Sequence, residues 1–362
     1  MESKTALIGM SGGVDSSVAA YLMLQQGFRC VGVTLRLYDN AMHGQDNTRT
    51  CCSLDDVEDA RSVARRLNIP HYVFNFKDEF EAKVIRPFVD SYEAGLTPNP
   101  CIECNRHLKF RKLLQRAKEL GYEYVVSGHY AQVRQDPASG RTLLYKAVDQ
   151  SKDQTYFLAC LDQEQLSHIQ FPLGGLTKQE VRQIAQEQGF INARKHDSQD
   201  ICFVPEGDYV AFLERYTGKP YAPGNYLDRD GRVVGTHRGA VAYTLGQRKG
   251  LGVALGEPMY VCGKDMTANT VTLGRNEDLF SGSLLAGELN FIPFPALLSP
   301  MTVEAKIRHS QHGQTASITP LEDGTVRVDF AQPQRAVTPG QAVVFYDGDL
   351  VIGSGTILKS IP

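Results

Sequence analysis

Apolar runs broken by glycine set the pattern of the first half of the chain. TALIGM is a short apolar run, and the Gly- and Ser-rich SGGVDSS turns it into a helical stretch, SVAAYLMLQQ, that ends at Gly27. RCVGVTL reads as a second buried strand. A polar loop around residues 39–50 follows, then a charged helix, DDVEDARSVARRLN, and a third strand, HYVFNF, just after Pro70. A further helix, HLKFRKLLQRAKEL, leads through Gly121 to the strand YEYVVSGHY. Strands alternating with helices predict a doubly wound parallel sheet covered on both faces, an α/β domain over residues 1–205.

The pattern changes after Pro205. Helical spacing fades and short alternating runs take over: MYVCGKD, NTVTLG, TVEAKIRH, TASITPLEDGTVRVDF and QAVVFYDGDLVIGSGTIL. This half reads as β-rich, with two small barrel-like modules over 206–285 and 286–362 and a seam near the proline-rich FIPFPALLSP. The stretch YTLGQRKGLG, residues 243–252, sets Arg248 and Lys249 among glycines, which suits an ordered lid, a backbone contact or a plain hairpin. The chain shows no repeat or low-complexity tract.

Length agrees with several domains, since 362 residues exceed one comfortable core. With 42% hydrophobic and 22% charged residues the composition is that of a globular protein and excludes a disordered or fibrous one. No window reaches about 18 consecutive apolar residues, and MESKTALIGM lacks a signal peptide's charged-then-apolar layout, so a cytoplasmic protein with no membrane partner is expected. Formal net charge is −3, and residues 206–362 carry 14 basic and 16 acidic side chains, so neither half is a broadly basic nucleic-acid binder. A polyanion would be met by local patches. One candidate runs along the helix from Arg106 to Lys118, where a solvated charged face is the plainer reading.

SGGVDSS is the most informative motif. Ser11, Gly12 and Gly13 let backbone N–H groups turn inward, and the helix beginning near Asp15, Ser16 and Ser17 points its positive end at the same spot, which makes a polyphosphate cradle. It lacks the Lys-Ser/Thr of a Walker loop and the glycine spacing of a dinucleotide fingerprint. A strand-to-helix turn that binds nothing is the plain alternative. SGG-x-D-S directly after a first strand resembles the PP-loop of ATP pyrophosphatases, which adenylate a substrate oxygen and release pyrophosphate.

Eight cysteines are present. Cys30, Cys160 and Cys262 lie in apolar or strand-like contexts and read as core. Cys51 and Cys52 precede a helix start at Ser53-Leu54-Asp55-Asp56 and read as structural. Cys101 and Cys104, in NPCIECNRHLKF, suit a metal clip, a redox couple or a nucleophile. No second Cys-x-x-Cys or histidine pair completes a zinc site. Cys202, in DSQDICFV, is a further thiol amid polar residues, with Lys195 and His196 placed to lower its pKa.

The PP-loop, NPCIECN, DSQDICF and YTLGQRKGLG together resemble the bacterial tRNA-specific 2-thiouridylases, from residue 5 to about residue 355. That resemblance implies ATP-dependent replacement of the C2 oxygen of a wobble uridine by sulfur, with ATP and Mg²⁺ as cofactors and tRNA and an upstream persulfide sulfur donor protein as partners. Carried over by position, Cys202 bears the persulfide and Cys104 is the partner thiol that forms a transient disulfide with it. Gly9, Met10, Ser11, Gly12, Gly13, Val14, Asp15 and Ser16, the backbone at Leu35, and Gly128 match the ATP site. Asn99, Pro100 and Cys101 match the segment touching the target base, while His129, Lys152, Asp153, Gln154, Arg308, His309 and Gln341 match tRNA contacts. Other members carry an aspartate in place of Cys101, cast as a general acid/base, and a thiol with a reference pKa near ~8.5 accepts a proton less readily at neutral pH. Cys101, Cys104 and Cys202 are also enough thiolates to hold a [4Fe–4S] cluster with one open iron, so a cluster and a persulfide–disulfide relay both remain open.

Two other classes compete. An amide-forming PP-loop ligase would leave Cys104 and Cys202 idle. A nucleotide-sensing RNA-binding protein would release no pyrophosphate.

Overall fold

The computed structural model describes residues 3–38, 54–195, 201–204, 207–253 and 256–361. The polar loop 39–50, the Cys51-Cys52-Ser53 helix start and His196 lie outside the described residues. The chain divides into two compact units, one made of Met1–Ile85, Pro100–Gly207 and Gly348–Ile352, the other of Arg86–Asn99, Asp208–Asp347 and Gly353–Pro362.

The first unit holds β1 (Thr5–Gly9), β2 (Arg29–Arg36), β3 (His71–Asn75), β4 (Tyr124–Val126), β5 (Gln132–Gln135), β6 (Thr142–Tyr145) and β7 (Ile169–Gln170). Five of these form the parallel sheet expected from the alternating pattern, in the order β3-β2-β1-β4-β7. β5 and β6 pair as an antiparallel hairpin. Ala6, Leu7 and Ile8 of β1 are fully buried because β1 lies mid-sheet with both faces covered. The helix Val14–Gln25 packs there through Val18, Ala19, Ala20 and Met23, joined by Val181 and Ala185 of the helix Lys178–Glu187. Strand order reverses at β1, so the crevice beyond the carboxyl ends of β1 and β4 is where a ligand belongs in an open α/β sheet.

The helix expected at 107–120 is longer. It starts at Pro100–Cys104, passes through π-helical turns at Asn105–Lys112, and ends as Leu113–Glu119. The basic stripe on it is mostly neutralised in place: Arg111 pairs with Asp162, Lys112 with Glu79 and Lys118 with Glu164. The solvated-face reading is therefore the better description of that stripe.

The second unit begins out of sequence order. Its segment Arg86–Asn99, read from sequence as part of the first domain, packs with later helical residues, Phe88 against Phe212 at 6.2 Å and Tyr92 stacked on Tyr209 at 4.5 Å. β8 (Gly224–Leu227), β9 (Val233–His237), β10 (Tyr260–Asp265) and β11 (Thr270–Gly274) form a sheet in the order β10-β11-β8-β9. β12 (Phe280–Phe291), β13 (Met301–Lys306), β14 (Gln314–Pro320), β15 (Val326–Arg335), β16 (Ala342–Asp347) and β17 (Leu350–Ile361) run β12-β15-β14-β13-β16-β17, and β12 pairs with β17 to close the ring. FIPFPALLSP thus links two strands of one barrel and does not separate modules. YTLGQRKGLG forms no hairpin; it is a run of turns after a short 3₁₀ helix, Ala240–Ala242. Tyr226 holds both its ends, with its ring 5.5 Å from that of Tyr243 and its hydroxyl donating to the Leu251 carbonyl at 2.8 Å.

Candidate active site

SGGVDSS leaves β1 at Gly9 and enters the helix Val14–Gln25. Gly13 is the N-cap and no side chain caps it, so the first turn presents its N–H groups toward the crevice without a built-in carboxylate or hydroxyl competitor. The serines serve the loop itself: Ser16 Oγ accepts from Ser11 N at 3.2 Å, and both Ser16 and Ser17 hydroxyls donate to the Gly13 carbonyl, at 3.1 and 3.0 Å. Met10 is buried, and its carbonyl accepts from Thr34 Oγ1 at 2.7 Å. Leu35 follows near the end of β2, where its backbone reaches the same edge of the sheet. Gly12 adopts φ +74°, and a Cβ there would meet the Asp56 carbonyl at 2.3 Å, so only glycine fits.

Two side chains brace this turn from far along the chain. Asn192, 3% exposed, donates through Nδ2 to the Gly12 carbonyl and to Ser17 Oγ, both at 2.9 Å. Lys195 Nζ reaches Asp56 at 2.6 Å, Asp59 at 2.7 Å and the Gly12 carbonyl at 3.3 Å. Burial works against its charge, but hydrogen bonds and attraction from both aspartates outweigh that and raise its pKa. This corrects the expectation that Lys195 acidifies Cys202: two carboxylates already claim its ammonium.

Asp15, in the helix's first turn, binds Lys178 through both oxygens, Oδ1 at 2.7 Å and Oδ2 at 2.8 Å, and Oδ1 also accepts from Tyr130 OH at 2.9 Å. Tyr130 is in turn fixed by Gln154, whose Oε1 accepts from Tyr130 N at 2.9 Å. Neither Lys178 nor Asn192 was legible as a site residue. The one sequence signal near Lys178 is the T-x-x-E capping box Thr177/Glu180 that starts its helix.

The thiols divide by burial. Cys104, 6% exposed, ends the helix Pro100–Cys104, on which Cys101 is exposed. Cys202 is half-buried; its carbonyl accepts from Tyr38 OH at 2.7 Å, and its neighbour Phe203 packs edge-on against Phe80 at 5.6 Å. Burial pushes Cys30 up to about 11 and Cys160 up to about 12, as expected of core thiols. Cys262 is only half-buried, though burial raises it as well. Among the described residues no group of three or more His, Cys, Asp or Glu side chains is arranged to hold a metal. Cys101, Cys104 and Cys202 are therefore not gathered as cluster ligands.

Family models cover nearly the whole chain: a tRNA methyl transferase HUP domain over residues 4–206, a tRNA methyl transferase PRC-barrel domain over 210–275 and an aminomethyltransferase beta-barrel domain over 281–357. A tRNA-specific 2-thiouridylase MnmA of Acetivibrio thermocellus is 52% identical over 99% of this chain and 100% of its own length. That of Heliobacterium modesticaldum is 52% identical over 99% and 93%, and that of Clostridioides difficile 47% over 99% and 99%. The chain belongs to the tRNA-specific 2-thiouridylase family.

The residues matched to the thiouridylases' tRNA contacts fall in both units. In the first, Asp153 is buried, accepting from Ala147 N at 3.0 Å and Thr155 Oγ1 at 2.6 Å, and Gln154 holds Tyr130, so both side chains brace the loop beside the half-buried Lys152. His129 follows β4, hydrogen-bonded to Ser127 Oγ at 2.5 Å and flanked by Phe110 and Phe171. Burial, aided by the charge of Lys109, lowers its pKa to about 3, so it is neutral at neutral pH. In the second unit, Arg308 and Gln341 line a cleft of about 360 Å³ with Thr97, Gly246, Gln247 and Thr338. Arg308 donates to the Ala336 carbonyl at 2.6 Å, and Gln341 Nε2 donates to the carbonyls of Thr97 at 3.0 Å and Pro98 at 3.3 Å. Gln341 thus anchors the chain just before Asn99-Pro100-Cys101. His309 beside Arg308 is exposed.

Proposed function

We propose that this chain uses ATP to replace the C2 oxygen of a tRNA uridine with sulfur. The observation that carries the reading is the glycine-lined loop with an uncapped helix N-terminus at the sheet's switch point, in a chain of thiouridylase-family sequence. Backbone N–H groups from Gly9 to Ser16 bind the phosphates, the Leu35 backbone meets the adenine, and Gly128 leaves room beside Asp15. Asp15 offers carboxylate oxygens that would hold a Mg²⁺ ion carried with the nucleotide, and such an ion would supply charge neutralisation for the leaving pyrophosphate.

The uridine C2 oxygen attacks the α-phosphate and pyrophosphate leaves. The terminal sulfur of a Cys202 persulfide, loaded by a donor protein, then bonds to C2. AMP departs with the C–O electron pair. Cys104 thiolate attacks Cys202 Sγ, releasing the thiocarbonyl and leaving a Cys104–Cys202 disulfide that an external thiol reduces. The two cysteines supply the electrons that reduce the sulfane sulfur. Asn99, Pro100 and Cys101 lie against the target base, and His129, Lys152, Arg308, His309 and Gln341 with their neighbours engage the tRNA. Cys101 replaces the family's aspartate, so proton transfer at this position runs through a weaker acceptor.

Purified protein with an anticodon stem-loop transcript, ATP and a persulfide donor should release pyrophosphate and yield 2-thiouridine by mass spectrometry. Cys202→Ser should stop thiolation and spare pyrophosphate release. Absence of tRNA-dependent pyrophosphate would falsify the reading and favour a non-catalytic RNA binder, while full turnover by both Cys→Ser variants would favour an amide ligase.

A further inference from the structure

We propose that Lys178 is the residue that hands positive charge from Asp15 to an incoming polyphosphate. The inference rests on the adenylating reading above and adds a residue to it. The Lys178 ammonium covers both Asp15 oxygens at 2.7 and 2.8 Å. A divalent ion arriving with a nucleoside triphosphate competes for those same oxygens. Once it takes them, the displaced ammonium needs another anion within reach of its side chain, and the phosphates gathered at the helix N-terminus supply one.

Three features fit an exchangeable cation better than a plain structural ion pair. Lys178 is the first residue of the helix Lys178–Glu187, where the positive end of the macrodipole disfavours a cation, so the position is poor for helix stability. Its backbone is nevertheless pinned: Thr177 and Glu180 form a reciprocal capping box, and Lys178 N donates to Asp149 Oδ2 at 3.0 Å. Only the side chain has to move. Lys178 is also 9% exposed, so the charge is largely withheld from bulk water and acts strongly on whatever anion faces it.

The test is ATP binding by calorimetry in EDTA and in Mg²⁺, run beside tRNA-dependent pyrophosphate release. Asp15→Asn frees the ammonium and should bind metal-free ATP at least as tightly as the unaltered protein. Adding Lys178→Met to Asp15→Asn, which leaves no orphaned carboxylate, should weaken metal-free binding at least tenfold. Lys178→Met alone should lower pyrophosphate release at least a hundredfold, and Lys178→Arg should restore part of it. Equal metal-free affinity of Asp15→Asn with and without Lys178→Met overturns the assignment. A failure of the unaltered protein to release pyrophosphate would instead sink the adenylating reading, so the two failures are distinguishable.

Discussion

Gly128 stands against the start of the helix Val14–Gln25 so closely that a Cβ added there would lie 2.7 Å from both the Asp15 carbonyl carbon and the Ser16 nitrogen. Those atoms are backbone, and they belong to the turn that presents N–H groups to the crevice, so the turn has to shift to accept even a methyl. Gly128→Ala should cost about 1–3 kcal/mol in urea unfolding through overpacking and weaken ATP binding at least tenfold. An alanine variant with ordinary ATP affinity would show that the close approach has no bearing on the loop.

The Gln341 amide spans two consecutive carbonyls, Thr97 and Pro98, while Gly340 packs so near that a Cβ would lie 2.9 Å from Thr97 N. Gln341→Glu faces those carbonyls with a carboxylate that cannot donate, at a cost of about 1–3 kcal/mol for the unsatisfied group. The expected result is lower urea stability together with weaker tRNA binding. If tRNA affinity drops while stability holds, Gln341 acts on the RNA directly and not by anchoring this segment.

The loop and the parallel sheet were legible because both are local: glycine tolerance at Gly12, a helix start at Asp15 and strand-helix alternation are each written in a few adjacent residues. What was not legible arrives through long-range packing. Lys178 reaches Asp15 across |i−j| = 163 and Asn192 reaches Ser17 across 175, and no nearby pattern distinguishes them from ordinary polar positions. The same limit misplaced Lys195, whose nearness in sequence to Cys202 suggested a partner that Asp56 and Asp59 claim in space. Chain order also hid the grouping of Arg86–Asn99 with later residues, since aromatic stacking of Tyr92 on Tyr209 has no sequence signature.

His129 makes a pH prediction. Its folded pKa of about 3 lies below the ordinary value of 6.5, so between those limits the unfolded chain binds the proton more readily. The stability that the neutral ring contributes is fully present above pH 6.5 and is lost as pH falls toward 3. His71 and His237 are also lowered by burial and act with the same sign. Urea unfolding of His129→Gln at pH 7 and pH 5 should show a smaller drop than the unaltered protein shows. Because the ring is neutral near pH 7, the same change should leave the salt dependence of tRNA binding untouched, whereas Lys152→Gln should reduce the log–log slope by about 0.9 if that lysine meets a phosphate.

Thiol chemistry separates the sulfur-carrying candidates from the core. At pH 7.5 a thiol held at about 12, as Cys160 is, has a negligible thiolate fraction, and Cys30 at about 11 is little better. Cys101 is exposed, Cys202 half-buried and Cys104 buried. Iodoacetamide followed by peptide mass spectrometry should modify Cys101 before Cys104 and leave Cys30 and Cys160 unmodified until the protein unfolds. Lys195→Met gives the sharper result. Since its ammonium lies 2.6 Å from Asp56 and 2.7 Å from Asp59, removing it should lower stability by about 1–2 kcal/mol and weaken ATP binding through the Gly12 turn, while the rate and pH profile of Cys202 alkylation stay as they were. A marked slowing at Cys202 would mean that the lysine does serve the thiol, and that its carboxylate partners release it when sulfur is to be carried.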